Sequence, residues 1–473
     1  MNKASVIRYV IILLLGVVIS SCGNNKSASQ RNGWDKLAEI RDNIQSPTFP
    51  DKDFSIMDYG AVKDSTKDCL SAIKKAITAC NEAGGGRVII PSGTYFVKGP
   101  IHLKSNVNLH LMKGTVLKFS NNPNDYLPVV LTRFEGIELM NYSPLIYAYK
   151  KKNVAVTGQG VLDGQANNAH WWPWKGKKEY GWEPGMPSQL DSANRPALAK
   201  VAAEGVPVKE RIFGDGHYLR PSFVEPYLCE NVLIKGVTIK NSPFWILHPT
   251  LSKNVIIDSV TTVSYGPNND GCDPESCVNV LIKDCFFSNG DDCIAIKSGR
   301  DEDGRRIDIP SKNIIIEDCQ MRDGHGGVVI GSEVTGGVEN VFAQNCEMNS
   351  PHLDRAIRIK SNERRGGVLK NLYFRNIKVG QVHEAVIKVN MFYGDETGDY
   401  IPTLDSVFID HIVSQKSEYA INIQGIEGNP VSNIFINNCT FNKVEKKNVI
   451  KRVENLIIKN STVNGQQIKY NRK

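Results

Sequence analysis

Three segments decide the architecture: Asn279-Val-Leu-Ile-Lys-Asp-Cys285, Asn313-Ile-Ile-Ile-Glu-Asp-Cys319 and Asn340-Val-Phe-Ala-Gln-Asn-Cys346. Each opens on Asn, alternates through a short β-prone run, bends, and places a small apolar residue six positions on. The same unit begins at Asn153, Asn231, Asn254, Asn371, Asn433 and Asn455, with Ser406 in the Asn slot. The sixth position is then Val237, Val260, Cys285, Cys319, Cys346, Ile377, Ile412, Cys439 or Ser461. From Asn231 onward the units recur every 22 to 35 residues. A repeat of that length, built from short strands, predicts an all-β, right-handed parallel β-helix whose coils bury one face only by stacking. A β-propeller would need longer units of four antiparallel strands. Asn suits the corner of each coil, because it tolerates left-handed backbone and its amide can bond the same amide one coil away.

The flanks follow from this frame. Leu70, Ile73, Ile77 and Cys80 form a helical stripe after Ser65-Thr-Lys-Asp68, which reads as a capping box, and Gly84-Gly85-Gly86 ends it. This helix is expected to cap the N-terminal end of the solenoid. Coils begin near Val88–Tyr95, and the catalytic domain is expected to run as one unit over 53–473. Residues 165–222 interrupt the rhythm with Trp171, Trp172, Trp174 and Trp182, and read as a loop insertion. Cys285, Cys319 and Cys346 share a register and read as an inward apolar ladder. No CxxC pair or His accompanies them, so a metal site is not expected there.

The N-terminus reads as an address. Lys3 and Arg8 precede an apolar core ending Ile19-Ser-Ser-Cys22, a secretory signal over 1–21 with a lipobox-like end that makes Cys22 the lipidation site. Residues 22–52 read mainly as a tether, with a short helix near Trp34–Ile44. The protein is expected to be exported and lipid-anchored to a bacterial membrane, facing the periplasm or the cell surface. Beyond the signal no apolar run approaches the ~18–20 residues that span a bilayer. The chain carries 57 Lys+Arg against 50 Asp+Glu, a net +7 that falls to +5 once residues 1–21 leave. Without a basic block, this charge argues against nucleic acid and permits an anionic substrate.

Cys293-Ile-Ala-Ile-Lys-Ser298, Gly327-Val-Val-Ile-Gly-Ser332 and Ala356-Ile-Arg-Ile-Lys-Ser361 superpose without gaps, and Gly271-Cys-Asp-Pro-Glu-Ser276 fits their frame. Ile294/Ile296, Val328/Ile330 and Ile357/Ile359 then point inward, while Ala295/Lys297, Val329/Gly331 and Arg358/Lys360 point outward. The frame sets Asp270 level with Asp292 and Asp291 level with His325, one coil apart in each case. Crowded carboxylates cannot all ionise cheaply, so an acid beside a base is expected, as glycosidic cleavage requires. Arg358 and Lys360 face the same groove and suit a carboxylate on the substrate. A calcium site is the rival reading of the Asp cluster, and His325, Arg358 and Lys360 argue against it.

At this point the sequence resembles the polygalacturonase family, glycoside hydrolase family 28. Asn268-Asn-Asp270, Gly290-Asp-Asp292, Gly324-His-Gly326 and Arg358-Ile-Lys360 match its four motifs in order, with Asn269 where Thr is common. The resemblance implies a β-helix enzyme with no metal or cofactor, acting on pectic polysaccharide or oligogalacturonides. It implies that Asp291 is the general acid, that Asp270 and Asp292 activate water, and that His325 tunes the acid. Arg358 and Lys360 would hold the uronate carboxylate, with Lys297 adding positive charge and Asn268 in the first motif beside them. Tyr393, in Asn390-Met-Phe-Tyr-Gly394, matches a substrate-stacking Tyr loosely. An inverting mechanism is expected, with carboxyls separated by ~6.5–9.5 Å. Other readings on the same scaffold are rhamnogalacturonan or decorated-pectin hydrolysis, a calcium-dependent pectate lyase, and a non-enzymatic carbohydrate-binding helix. The insertion is expected to wall one end of the groove through its Trp faces and Arg220, favouring exo over endo attack. The plainer alternative is that those Trp residues pack the loop onto the helix. A monomer is expected.

Overall fold

The computed structural model describes residues 33–472. The signal and Cys22 lie outside the described residues. Parallel strands stack coil on coil into a right-handed β-helix. The main sheet has 23 strands and a second stack has six. The repeat register is the one the sequence dictates: Val280 pairs with Ile314 and Ile314 with Val341. Inward residues of successive coils form one continuous core that includes all the sixth-position residues from Val237 to Cys439. Fully burying each such Ile or Val is worth roughly 1.5–3 kcal/mol, and only the neighbouring coils can provide that cover. The ten cysteines among the described residues are buried and free.

The corner asparagines adopt the expected left-handed backbone, with φ of 51° at Asn153, 58° at Asn313 and 59° at Asn371. Their amides form a ladder. Asn153 Nδ2 donates to Asn106 at 3.0 Å, Asn231 to Asn153 at 2.9 Å, Asn313 to Asn279 at 3.0 Å and Asn340 to Asn313 at 3.0 Å.

Helix α1 (Lys36–Asp42) is not part of a tether. Leu37, Ile40 and Ile44 are buried against Ile256, Leu281, Ile315, Phe342 and Tyr373, which point outward from the main sheet. Trp34 meets Phe342 and Tyr373 edge-on, and Arg41 grips Glu317 through two hydrogen bonds of 2.5 and 2.6 Å. The tether expected over 22–52 is therefore shortened from its C-terminal side, because these outward apolar residues require a cover.

Helix α2 (Leu70–Glu82) packs Leu70, Ile73, Ala76, Ile77 and Cys80 against the first strands. The capping box is not formed. Cys69 stands at the N-cap without a side-chain bond, and Asp68 Oδ1 instead accepts from the backbone N–H of Leu70 and of Lys98. Asp68 thus ties the helix entrance to a neighbouring strand end, which leaves Ser65 no capping role.

The interruption falls between the strands Val161–Asp163 and Val224–Tyr227. It contains helix α3 (Arg195–Ala203) and the strand Ile212–Phe213, which pairs with the hairpin Val130–Phe134/Ile137–Asn141. Leu198, Ala202, Phe213 and Leu219 close a second small core with Phe134, Leu139, Phe244 and Trp245. The insertion is therefore a packed wall standing on the outer face.

Candidate active site

The outward face of four successive coils carries the chemistry. Ile294–Ile296 pairs with Val328–Ile330, and Ala295, Val329 and Arg358 fall in one outward row. Cys272 bridges to Ile294 and Glu275 to Lys297, which extends the frame one coil back. The Gly271 N–H donates to the Asp292 carbonyl at 2.9 Å and the His325 N–H to the Asp291 carbonyl at 3.1 Å, so both expected pairings exist. One oxygen of each of Asp270, Asp291 and Asp292 lies within 4.8 Å of the others. That is closer than the ~6.5–9.5 Å expected between an inverting pair, so the separation criterion does not carry the stereochemistry here.

Glycine sets the His325 position. A Cβ on Gly324 would stand 2.5 Å from the Asp291 carbonyl oxygen, so only glycine lets this turn settle onto the coil beneath. His325 Nδ1 then lies 2.9 Å from Asp291 Oδ1. Lys360 Nζ donates to Asp292 Oδ2 at 2.8 Å, and Arg358 Nη1 is 3.5 Å from Asp292 Oδ1. The Tyr393 ring lies 5.3 Å from the Arg358 guanidinium and 5.1 Å from the Lys360 ammonium. Lys297 lies between three carboxylates, at 3.5 Å from Asp270, 3.4 Å from Asp273 and 3.2 Å from Glu333. Its face rests on the Trp245 ring, 4.5 Å from the centroid.

These contacts divide the protons unevenly. The hydrogen bond and charge of Asp291 push the His325 imidazole up to about 9. Burial works against ionisation of Asp291, but the His325 hydrogen bond and charge, helped by Lys360 and Lys175, hold its carboxyl below the ordinary range. Burial, then the charges of Asp273 and Asp291, drive Asp270 well above that range. Burial pushes Asp273 up to about 8 against the pull of Lys297. Burial also opposes the charge on Lys297, but Glu333, Asp273 and Asp270 outweigh it and raise its pKa well above the ordinary value. The Asp291–His325 pair thus shares one proton between two groups that titrate together. The three clustered carboxylates have a spacing that suits a cation, but the Lys297 and Lys360 ammonium groups already supply positive charge at 3.5 and 2.8 Å.

The carboxylates open into a cavity of about 210 Å³. Asn268, Lys297, Lys360 and Tyr393 line it as expected, joined by Lys175 and Arg195 from the insertion and by Trp245, Glu333 and Arg365. Two expectations fail. Arg220 is buried and donates to the carbonyls of Pro243 and Pro267 and to Gln189 and Asn268, so it braces the loop and holds no substrate. The tryptophans are packing residues. Trp171 is buried against Tyr126, Tyr142 and Trp174, Trp172 Nε1 donates to the Ser242 carbonyl, and Trp182 Nε1 donates to the Met186 carbonyl. The sequence reading did not pick out Lys175, Arg195, Asp273, Trp245 or Glu333. For Asp273 a signal was present, since it shares the outward parity of Ala295 and Arg358. The unusual Asn269 is buried and uses its whole amide. Oδ1 accepts from Ser264 and the Gly266 N–H, and Nδ2 donates to the Ser242 and Phe244 carbonyls. It anchors the turn that presents Asp270.

A β-helix with adjacent acids, a paired histidine and cations on one outer face defines a glycosidase of the solenoid type. Residues 214–466 match the family described as Glycosyl hydrolases family 28, and the chain belongs to that family. Residues 54–122 match Rhamnogalacturonase A/epimerase, pectate lyase-like, over early coils that hold none of the carboxylate cluster. The solved exopolygalacturonase of Thermotoga maritima is 46% identical, covers 93% of this chain and 100% of its own, and superposes with a TM-score of 0.89. An exo-poly-α-D-galacturonosidase of Dickeya chrysanthemi is 30% identical over 374 residues, 74% of this chain and 59% of that one. A probable polygalacturonase of Vitis vinifera is 27% identical over 409 residues, 83% of this chain and 74% of that one.

Proposed function

We propose that this glycosidase hydrolyses α-linked galacturonic acid in pectin and releases single units from a chain end. The observation that carries the exo reading is that Lys175 and Arg195, both from the 165–222 insertion, line the same cavity as Asp270, Asp291 and Asp292. A wall at that position leaves a pocket in place of an open groove. The exo-acting relatives support the same reading. Polygalacturonate digestion tests it. Monomer from the first minutes with slow loss of viscosity is expected, whereas mixed oligomers with rapid viscosity loss would mean an open groove. Preferential release from rhamnogalacturonan would replace galacturonan as the substrate.

In the reaction, the Asp291–His325 pair gives its proton to the leaving oxygen through Asp291, while Arg358 and Lys360 hold the uronate carboxylate beside the scissile bond. Asp270 Oδ1 and Asp292 Oδ1 are buried and lack hydrogen-bond donors among the described residues. Asp270 and Asp292 activate a water for attack on the anomeric carbon, and Asp292 takes its proton as the new bond forms. This is a single displacement, so the first product is the β-anomer. Proton NMR of the initial product checks it, and initial α-anomer would require a covalent intermediate. Lys3, Arg8, the apolar run and Cys22 support export as a lipid-anchored protein. A Cys22→Ser variant is expected to move from the membrane to the soluble fraction.

A further inference from the structure

Among the cations that line the cavity, one has no carboxylate beside it. Five basic side chains line it: Lys175, Arg195, Lys297, Lys360 and Arg365. Arg195 pairs with Glu135 at 2.6 Å, Lys297 with Glu333 at 3.2 Å, Lys360 with Asp292 at 2.8 Å and Arg365 with Asp301 at 2.8 Å. Lys175 has no carboxylate within 4.0 Å among the described residues. Its hydrogen-bond partner is the neutral Asn268 Oδ1, at 2.7 Å. That oxygen also accepts from the buried Arg220 at 2.9 Å, which fixes it beneath the lysine. Burial holds the amine below the ordinary lysine value, with Glu135 opposing. A half-buried ammonium that faces a cavity with only an amide oxygen for company favours an anionic ligand.

Position says which anion. Asn268 lies two residues before Asp270, on the coil before Asp292. Arg358 lies two coils beyond Asp292 in the opposite direction. Lys175 and the Arg358/Lys360 pair thus flank the acid and base from two sides. We propose that Lys175 binds the carboxylate of the terminal hexuronate, in a subsite that the insertion closes, while Arg358 and Lys360 hold the uronate across the scissile bond. This rests on the galacturonidase reading above. It makes the minimal substrate a pair of unesterified uronates, and it makes the insertion a determinant of charge recognition at the chain end.

The test uses the full enzyme with digalacturonate and its two mono-methyl esters. In the wild type each ester is expected to raise KM about 10- to 100-fold, the range for losing a charged hydrogen bond. Lys175→Met is expected to raise KM for the free acid by a similar factor and to become indifferent to the ester on one sugar only, with the other ester still costly. Lys175→Arg is expected to restore at least a third of the lost kcat/KM. Lys175→Gln serves in place of Lys175→Met if that variant melts early. A KM within twofold of wild type in the neutral variants, or unchanged discrimination against both esters, would overturn the proposal. A wild type that cleaves neither digalacturonate nor polygalacturonate would instead remove the function on which it rests.

Discussion

The asparagine corner and the carboxylate face are built by the same coil-to-coil spacing of about 4.8 Å, with opposite consequences. At the corner, like stacks on like, and the amides from Asn153 to Asn340 both donate and accept, as in the 3.0 Å bond from Asn313 to Asn279 and the 3.0 Å bond from Asn340 to Asn313. On the face, Asp270 stacks on Asp292, and an ionised carboxylate can only accept. The stack is tolerated because Lys297 and Lys360 intervene and because burial, with the charges of Asp273 and Asp291, shifts Asp270 towards its neutral form. Repetition gives stability where the repeated group is self-complementary, and reactivity where it is not.

The sharpest way to break this contrast is Asp291→Asn. Turnover is expected to fall on the order of a thousandfold, the scale of a lost general acid, while the protein still folds. Turnover within tenfold of wild type would shift the acid role elsewhere. Next comes Lys297→Met, which strands Asp270, Asp273 and Glu333 together in a buried site. About a hundredfold loss of turnover is expected, with roughly 3 kcal/mol of stability lost in urea at pH 8. That stability loss should shrink at pH 5, where the carboxyls take up protons and no longer repel.

The pH profile separates the two columns more gently. His325 is raised from 6.5 to about 9 in the folded protein. Its stabilising contribution is therefore complete below about 6.5 and lost as pH rises through about 9. The rate is expected to fall about tenfold per unit above that, as the pair loses its proton. His325→Asn should abolish this limb while leaving the helix folded. At the corner, Asn313→Ala should leave turnover within about twofold and remove roughly 2–3 kcal/mol. That figure combines left-handed strain with lost amide bonds, and Asn313→Gly should cost less because glycine accepts the backbone. Chemical denaturation of the two variants measures the strain by difference.

What was legible in the sequence was whatever the repeat enforces. The parity of Ile294, Val328 and Ile357 fixes which neighbours face out, and that alone brings Asp291 beneath His325 from 34 residues away. The same alternation turns Leu281, Ile315, Phe342 and Tyr373 away from the core. These face outward yet are apolar, because helix α1 lies over them. A run of outward apolar residues on successive coils is itself evidence of a missing cover. The insertion follows no period, so nothing in its spacing distinguished Arg220, which braces carbonyls from within, from Lys175, which faces the cavity. Abundant Trp suggested sugar stacking, whereas a loop of this length first needs a core of its own.

The uneven spacing of the corner residues, 22 to 35 positions, has a consequence for heredity. One codon gained inside a strand would turn every following side chain of that strand to the wrong face and unseat the proton-handling groups from one another. A dozen codons gained at a bend would only lengthen the rim. The gene thus has separate places for what must be copied faithfully and for what can drift. A lineage can alter which chain ends it accepts by editing the rim, while the levels beneath remain in step.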